Sequence, residues 1–261
     1  MATLGAVAAG MKVTTGSWAK GLEWDSEFWR MPVGSAASSH AISEWANEHA
    51  EGCLFLLIPA KDQADIHRSE QHGARVMDVR VELTRPATTD KNHDPRALHD
   101  IGEIKSGEVG AMVTLARTAF RGLTRFYADP NFPNEKVDNL YESWFRQMLD
   151  RDHILVVRLH HDPFGFVTVT RDDRGAHIGL IAVVEWMRGR GWGRLLTDAA
   201  RHYAAEVGEQ RISVVTQGCN VAAQRAFQDC GFRTCDVSVW LHKHFRAKPD
   251  APPDNPSNKS C

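Results

Sequence analysis

Two periods of apolar residues alternate along the chain, and their order suggests an α/β protein. Val109, Met112, Val113, Ala116 and Phe120 recur at steps of three and four, as do Val137, Leu140, Tyr141, Trp144 and Met148, which predicts two amphipathic helices. His153 to His160, Phe164 to Thr170 and Ala176 to Val184 are β-rich runs, the last two joined by Asp172-Asp173-Arg174-Gly175, and they predict an antiparallel meander. A helix follows over Gly191 to Val207, with Leu195, Leu196, Ala199, Tyr203 and Val207 inward. Then come a strand over Arg211 to Gln217, a helix over Asn220 to Cys230 and an alternating strand over Thr234 to Leu241. Asn220 is the expected N-cap of that helix, and Gly231 its left-handed stop.

The first third carries its own pattern. Ala41 to Ala50 reads as a helix ended by Gly52, Cys53 to Ile58 as a buried strand stopped by Pro59, and Asp62 to His72 as a helix stopped by Gly73. Ala74 to Thr84 alternates imperfectly through Val76, Val79, Val81 and Leu83, as a strand would. These segments predict a small β-α-β-α-β lobe over 22–84. Residues 85–103, with Pro86 and Pro95 and little periodicity, read as a linker to a larger domain over 104–246. Residues 1–21 and the proline-rich stretch 247–261 read as flexible ends.

Composition removes several classes of function. In 261 residues, 31 Lys and Arg stand against 33 Asp and Glu, so no basic field argues for nucleic acid, and the expected partner is a small molecule. The longest apolar runs fall far short of the roughly 20 residues of a membrane span. Residues 2–10 lack the basic start and long apolar centre of a signal peptide, so a cytoplasmic location is expected. Five cysteines without a Cys-x-x-Cys suit reduced thiols. His160-His161 and His242-x-His244 have no Cys, Asp or Glu spacing beside them to complete a metal site, so no metal is assigned.

The chemistry concentrates between Ile178 and Leu196, where a buried strand runs through a glycine-rich turn into a helix. Gly189, Gly191 and Gly193 let backbone approach a ligand closely, and the amides of the turn lie at the positive end of a helix dipole. Arg188, Arg190 and Arg194 add guanidinium groups, so the expected ligand carries phosphate. A dinucleotide fingerprint starting at Gly189 fails at Arg194, and no Gly-Lys-Ser/Thr follows for a P-loop.

Arg188-x-x-Gly191-x-Gly193 resembles the pyrophosphate loop of the GNAT superfamily of acyl-CoA N-acyltransferases. Asn220-x-x-Ala223-x-x-x-Phe227-x-x-x-Gly231-Phe232 is similar to that superfamily's second cofactor-side motif. The likeness narrows at Leu22-Glu-Trp-Asp-Ser-Glu-Phe-Trp29, Arg125-Phe-Tyr-Ala-Asp-Pro130 and Val215-Thr-Gln-Gly-Cys-Asn220, which look like the TDP-fucosamine acetyltransferase family. The resemblance spans about Leu22 to Phe245. It implies a GNAT-type mixed sheet whose central strands splay to admit pantetheine, preceded by a small α/β lobe. It also implies acetyl-CoA as co-substrate, a nucleotide-linked amino sugar as acceptor, and direct transfer. A homodimer is compatible with the sequence, which does not fix the oligomeric state.

By the same resemblance, the backbone from Met187 through Arg188, Gly189, Arg190, Gly191 and Trp192 to Gly193 holds the pyrophosphate. Ile181, Ala182 and Val183 pair with the pantetheine amides, and Asn220 contacts the cofactor arm. Phe227 stands where the family places a tyrosine proposed to protonate the departing thiolate, and phenylalanine has no proton to give. Tyr127, in the Arg121 to Pro133 loop, is the remaining phenol outside an inward helix face and so the candidate acid, with Arg125 and Asp129 expected at the acceptor. An enzyme with another amine acceptor, or an acyl-CoA sensor without catalysis, are the competing readings.

Overall fold

A computed structural model describes residues 20–88 and 94–246. The expectations for 1–19 and 247–261 lie outside the described residues. The chain opens with β1 (Lys20–Gly21), α1 (Glu23–Trp29), β2 (Val33–Ala36), α2 (Ala41–Glu48), β3 (Gly52–Pro59), α3 (Gln63–Gln71) and β4 (Arg75–Pro86). It continues with α4 (Pro95–Leu98), β5 (Ile101–Glu103), α5 (Val109–Ala119), α6 (Arg125–Ala128) and α7 (Asn134–Leu149). The meander β6 (His153–Leu159), β7 (Asp162–Asp172) and β8 (Gly175–Val183) follows. It leads into α8 (Trp192–Glu206), β9 (Arg211–Gln217), α9 (Val221–Asp229) and β10 (Arg233–Phe245).

All ten strands form one mixed sheet in the order β1-β2-β3-β10-β4-β9-β8-β7-β6-β5. Only β2–β3 and β8–β9 are parallel. The period-two rule sorts side chains between its faces. In β3, Cys53, Phe55 and Leu57 join a core with Trp29, Phe126, Tyr141 and Trp144 beneath α1, α5, α6 and α7. Leu54, Leu56 and Ile58 turn the other way, toward Trp45 of α2 and Leu241. On that second side Ile181, Val183, Val214 and Phe227 meet Leu196 and Ala199 of α8.

The linker expected over 85–103 is partly structured, since it holds α4 and β5, and β5 extends the sheet beside β6. A three-residue strand is too short to show a period. The segment 22–84 is joined to the rest through its hydrogen bonds: β10 inserts between β3 and β4, antiparallel to both, and β4 pairs in turn with β9. The imperfect alternation of β4 has a physical cause. Trp240 pairs with Asp78 and Leu241 with Val76, so Met77 is an extra residue in a β-bulge and resets the phase between Val76 and Val79.

Leu241 is fully buried on the strand that ties β3 to β4. Leu241→Ala is expected to cost about 2–5 kcal/mol, the range for truncating a buried leucine. Urea unfolding should show the loss as a lower midpoint at an unchanged slope.

Candidate active site

The parallel pair β8–β9 is the centre of the site because it stops pairing early. Its ladder consists of Ala176↔Ile212, His177↔Ser213 and Ile178↔Val214. Both strands then run on, β8 to Val183 and β9 to Gln217, without pairing to each other. A β-bulge sits at the point of parting: Val169 pairs with Ile178 and Val167 with Ile181, so Gly179 and Leu180 stand opposite Thr168 alone. Thr168 Oγ1 accepts the Leu180 amide at 2.8 Å, and a Cβ at residue 179 would lie 2.6 Å from that oxygen, so glycine is needed here. The bulge bends β8 away from β9. Ile181, Ala182 and Val183, whose side chains are buried, thereby present one backbone edge to the opening.

That opening leads to the glycine turn. Gly189 (φ 77°) and Gly191 (φ 86°) are both left-handed, and a Cβ built on either meets no heavy atom within 4 Å. Glycine is required here by backbone conformation, with open space beside it. Gly191 is the N-cap of α8, so the first amides of a 15-residue helix point out of the turn without intrahelical partners. A cavity of about 560 Å³ lies against this turn, lined by Val183, Met187, Arg188, Trp192 and Gly193 on one side. Arg188 also donates from Nε to the Val183 carbonyl at 3.1 Å, fastening the turn to the end of β8. Trp192 packs edge-on against Phe164 with centroids 4.9 Å apart. Arg190 is exposed beside the cavity.

The opposite wall is α9. Asn220 caps it by accepting the Ala223 amide at 3.2 Å. Ala222, Arg225, Ala226 and Asp229 face the cavity, and Arg194 of α8 bridges to Asp229 at 3.0 Å. Arg188, Arg194 and Arg225 outnumber Asp229 around the space, which suits an anion. The expected cofactor contact at Phe227 is corrected by this geometry. Phe227 lies on the buried face of α9, fully enclosed and packed near Phe232, so its ring meets the core and not the cavity wall. Arg225 went unnoticed in the sequence because the 222-225-226-229 stripe acquires meaning only once α9 is seen to face the turn.

On the other face of the sheet, the Arg121 to Pro133 loop folds inward. Arg125 is 5% exposed, with its guanidinium carbon 4.0 Å from the Trp240 ring centroid, 4.2 Å from Phe126 and 4.6 Å from Phe55. Burial lowers its pKa to about 10 against the charge of Asp25. Asp129 is fully buried and its Oδ2 lies 2.7 Å from both His242 Nδ1 and His244 Nε2. Burial opposes that charge, but the two histidines hold the carboxyl well below its ordinary range. Tyr127 donates its hydroxyl to Asp138 at 2.7 Å, and Asp138 is paired with Arg121. Burial and the Asp138 carboxylate push the phenol far above its usual value. The expected acceptor contacts at Arg125 and Asp129 and the expected acid at Tyr127 are therefore corrected: in this structure these side chains hold the loop together.

Asp78 was missed by the sequence reading. It sits beside the Met77 bulge, with its carboxyl facing the backbone amides of Val79 and Arg125. The chain leaving β9 passes next to it, where Gly218 donates to the Val79 carbonyl. Burial raises its pKa to about 7, outweighing those amides and the charge of Arg125. Tyr141 and Cys219 are the other titratable groups that feel its charge. A lone aspartate in an irregular strand gives no sequence signal; only the bulge and the end of β9 mark the place.

Comparison with known proteins agrees with this geometry. Residues 112–232 match the model of the acetyltransferase (GNAT) family. The dTDP-fucosamine acetyltransferase of Escherichia coli O6:H1 is 24% identical over 210 residues, covering 78% of this chain and 84% of that protein. A conserved protein of unknown function from Staphylococcus epidermidis superposes with a TM-score of 0.63 at 15% identity, over 91% of this chain and 95% of that one. A GCN5-related N-acetyltransferase from Kribbella flavida superposes with a TM-score of 0.53 at 14% identity, over 82% of each chain. Among the described residues no helix is long and apolar enough to cross a membrane. The parted strands and the glycine turn both fall within the residues that match the acetyltransferase (GNAT) family model.

Proposed function

We propose that the protein moves an acetyl group from acetyl-CoA to the amine of a nucleotide-linked amino-deoxy sugar, by direct transfer within a ternary complex. The observation that carries this reading is the parting of β8 from β9 together with the cationic cavity at the start of α8, whose lining begins at Val183, the end of β8. A pyrophosphate suits the amides of that turn together with Arg188 and Arg225. The unpaired edge of β8 offers amide and carbonyl groups to a pantetheine arm, as a strand edge does to an added strand. The amino-sugar acceptor is supported by the likeness to the dTDP-fucosamine acetyltransferase, which extends over most of that protein's length.

Transfer requires the ammonium of the acceptor to lose a proton before nitrogen attacks the thioester carbonyl, after which the thiolate departs. Asp78 is the group we assign to the first task. It lies on the face of the sheet covered by α6, next to the chain leaving β9, and its pKa of about 7 suits proton acceptance near neutrality. No phenol is assigned to the thiolate; a thiol of ordinary pKa near 8.5 is a serviceable leaving group without one.

Mass spectrometry of products from acetyl-CoA and a panel of TDP-amino sugars should show one acetyl group gained. Absence of that mass shift on every sugar, with turnover on other amines, would replace the acceptor and keep the enzyme. Gly191→Asp adds a side chain at a left-handed residue and a negative charge at the turn. It should weaken acetyl-CoA binding by at least tenfold in calorimetry, with the circular dichroism spectrum retained. For Asp78 the sign follows from its raised pKa: the carboxylate form grows as pH rises through about 7, so kcat/KM for the amine should rise over that interval. Asp78→Asn should remove this limb and lower kcat/KM by about 10²-fold or more, with the KM for acetyl-CoA unchanged.

A further inference from the structure

Beyond the transfer site, the fold gathers three metal-binding side chains from two strands remote in sequence. His242 and His244 are alternate residues of β10, and the antiparallel register sets Cys53 of β3 directly opposite His244. Donor atoms of Cys53, His242 and His244 all lie within 4.8 Å of one another. The Cys53 Sγ to His244 Nε2 distance is 3.6 Å. A tetrahedral ion with metal–sulfur and metal–nitrogen bonds of about 2.3 and 2.1 Å would set that edge at about 3.6 Å. Asp129 lies beside the cluster on the loop after α6, its Oδ2 at the hydrogen-bond distance of 2.7 Å from a nitrogen of each ring, which orients the imidazoles. Its Oδ1 accepts the backbone amide and side-chain amide of Asn131, both at 2.9 Å, which fixes the direction of Oδ2.

Two further observations point to a ligand. His242 is 1% exposed, and its Nε2 is buried with no hydrogen-bond partner. Phe55 and Phe132 enclose the rings, with centroids 4.5 Å from His242 and 5.5 Å from His244 respectively. Such an apolar shell strengthens the attraction between a cation and anionic ligands. Buried there, the Asp129 carboxylate is met by histidines, and no lysine or arginine is paired with it among the described residues.

We propose that Cys53, His242 and His244 supply three ligands of a structural site for one divalent cation of the Zn(II) class, with Asp129 beside them as the hydrogen-bonding partner that orients the imidazoles. The Cys53 thiolate and the neighbouring Asp129 carboxylate together balance the two charges of the ion, and sulfur with two imidazoles favours zinc over magnesium or calcium. Binding releases the Cys53 thiol proton, and each imidazole turns a lone pair to the ion in place of an N–H. The ion would clamp β3 to β10 and, through the hydrogen bonds of Asp129 to the histidines, hold the α6–α7 loop against them. This inference does not depend on the acceptor or on acetyl transfer.

The test uses the full chain, stripped with a chelator and titrated separately with Zn²⁺ and Co²⁺. One equivalent of zinc should survive dialysis and raise the melting temperature, and cobalt should give the intense visible bands of a tetrahedral ion with thiolate charge transfer in the near ultraviolet. Cys53→Ser should abolish the charge-transfer band, whereas Cys219→Ser, at an exposed thiol away from the cluster, should keep it. Failure of the wild-type chain to retain zinc, or a charge-transfer band unchanged in Cys53→Ser, would overturn the site and leave Asp129 as a hydrogen-bonding staple between the loop and β10.

Discussion

A parallel ladder that ends after three residue pairs is the constraint on which the rest of the active-site architecture depends. Strand edges are costly to leave unpaired inside a sheet, since every buried amide and carbonyl needs a partner. Here the extra residue at Gly179–Leu180, satisfied locally by Thr168, tilts β8 so that its last five residues diverge from β9. Both strands remain anchored on their outer sides, β8 on β7 and β9 on β4. The gap is therefore held open from outside, and its polar edges are available to a ligand.

Legibility in the sequence followed the physics of each signal. The glycine turn was readable because only a left-handed backbone beside open space calls for glycines at both 189 and 191, and Asn220 because a cap is a local hydrogen bond. The meander was readable from period and turn residues. Features set by long-range pairing were not: the insertion of β10 between β3 and β4, the strand β5 within the supposed linker, and the phase reset at Met77 all depend on partners remote in the chain.

The Arg121 to Pro133 loop illustrates the same limit from the side of function. Its charges looked like surface chemistry because charged residues in loops usually are. Three-dimensional packing reverses that: Arg125 is sandwiched among aromatic rings, Asp129 is capped by two histidines, and Tyr127 is tied to Asp138. A buried guanidinium keeps its charge where a lysine would tend to lose it, and its flat faces suit aromatic neighbours. These side chains give the loop a fixed shape against the sheet, beside which Asp78 stands.

The central placement of β10 also bears on how the chain reaches this shape. While the polypeptide is still being synthesised, β3 and β4 exist before the strand that separates them, and each has an unsatisfied edge facing the other. Direct pairing between them would be a trap, because it would have to open again to receive β10. Contacts of such long sequence separation slow folding and prolong exposure of strand edges. The early helices α2 and α3, with Trp45 closing over Gly34 and Leu54, give the nascent segment a partial apolar shelter during that wait.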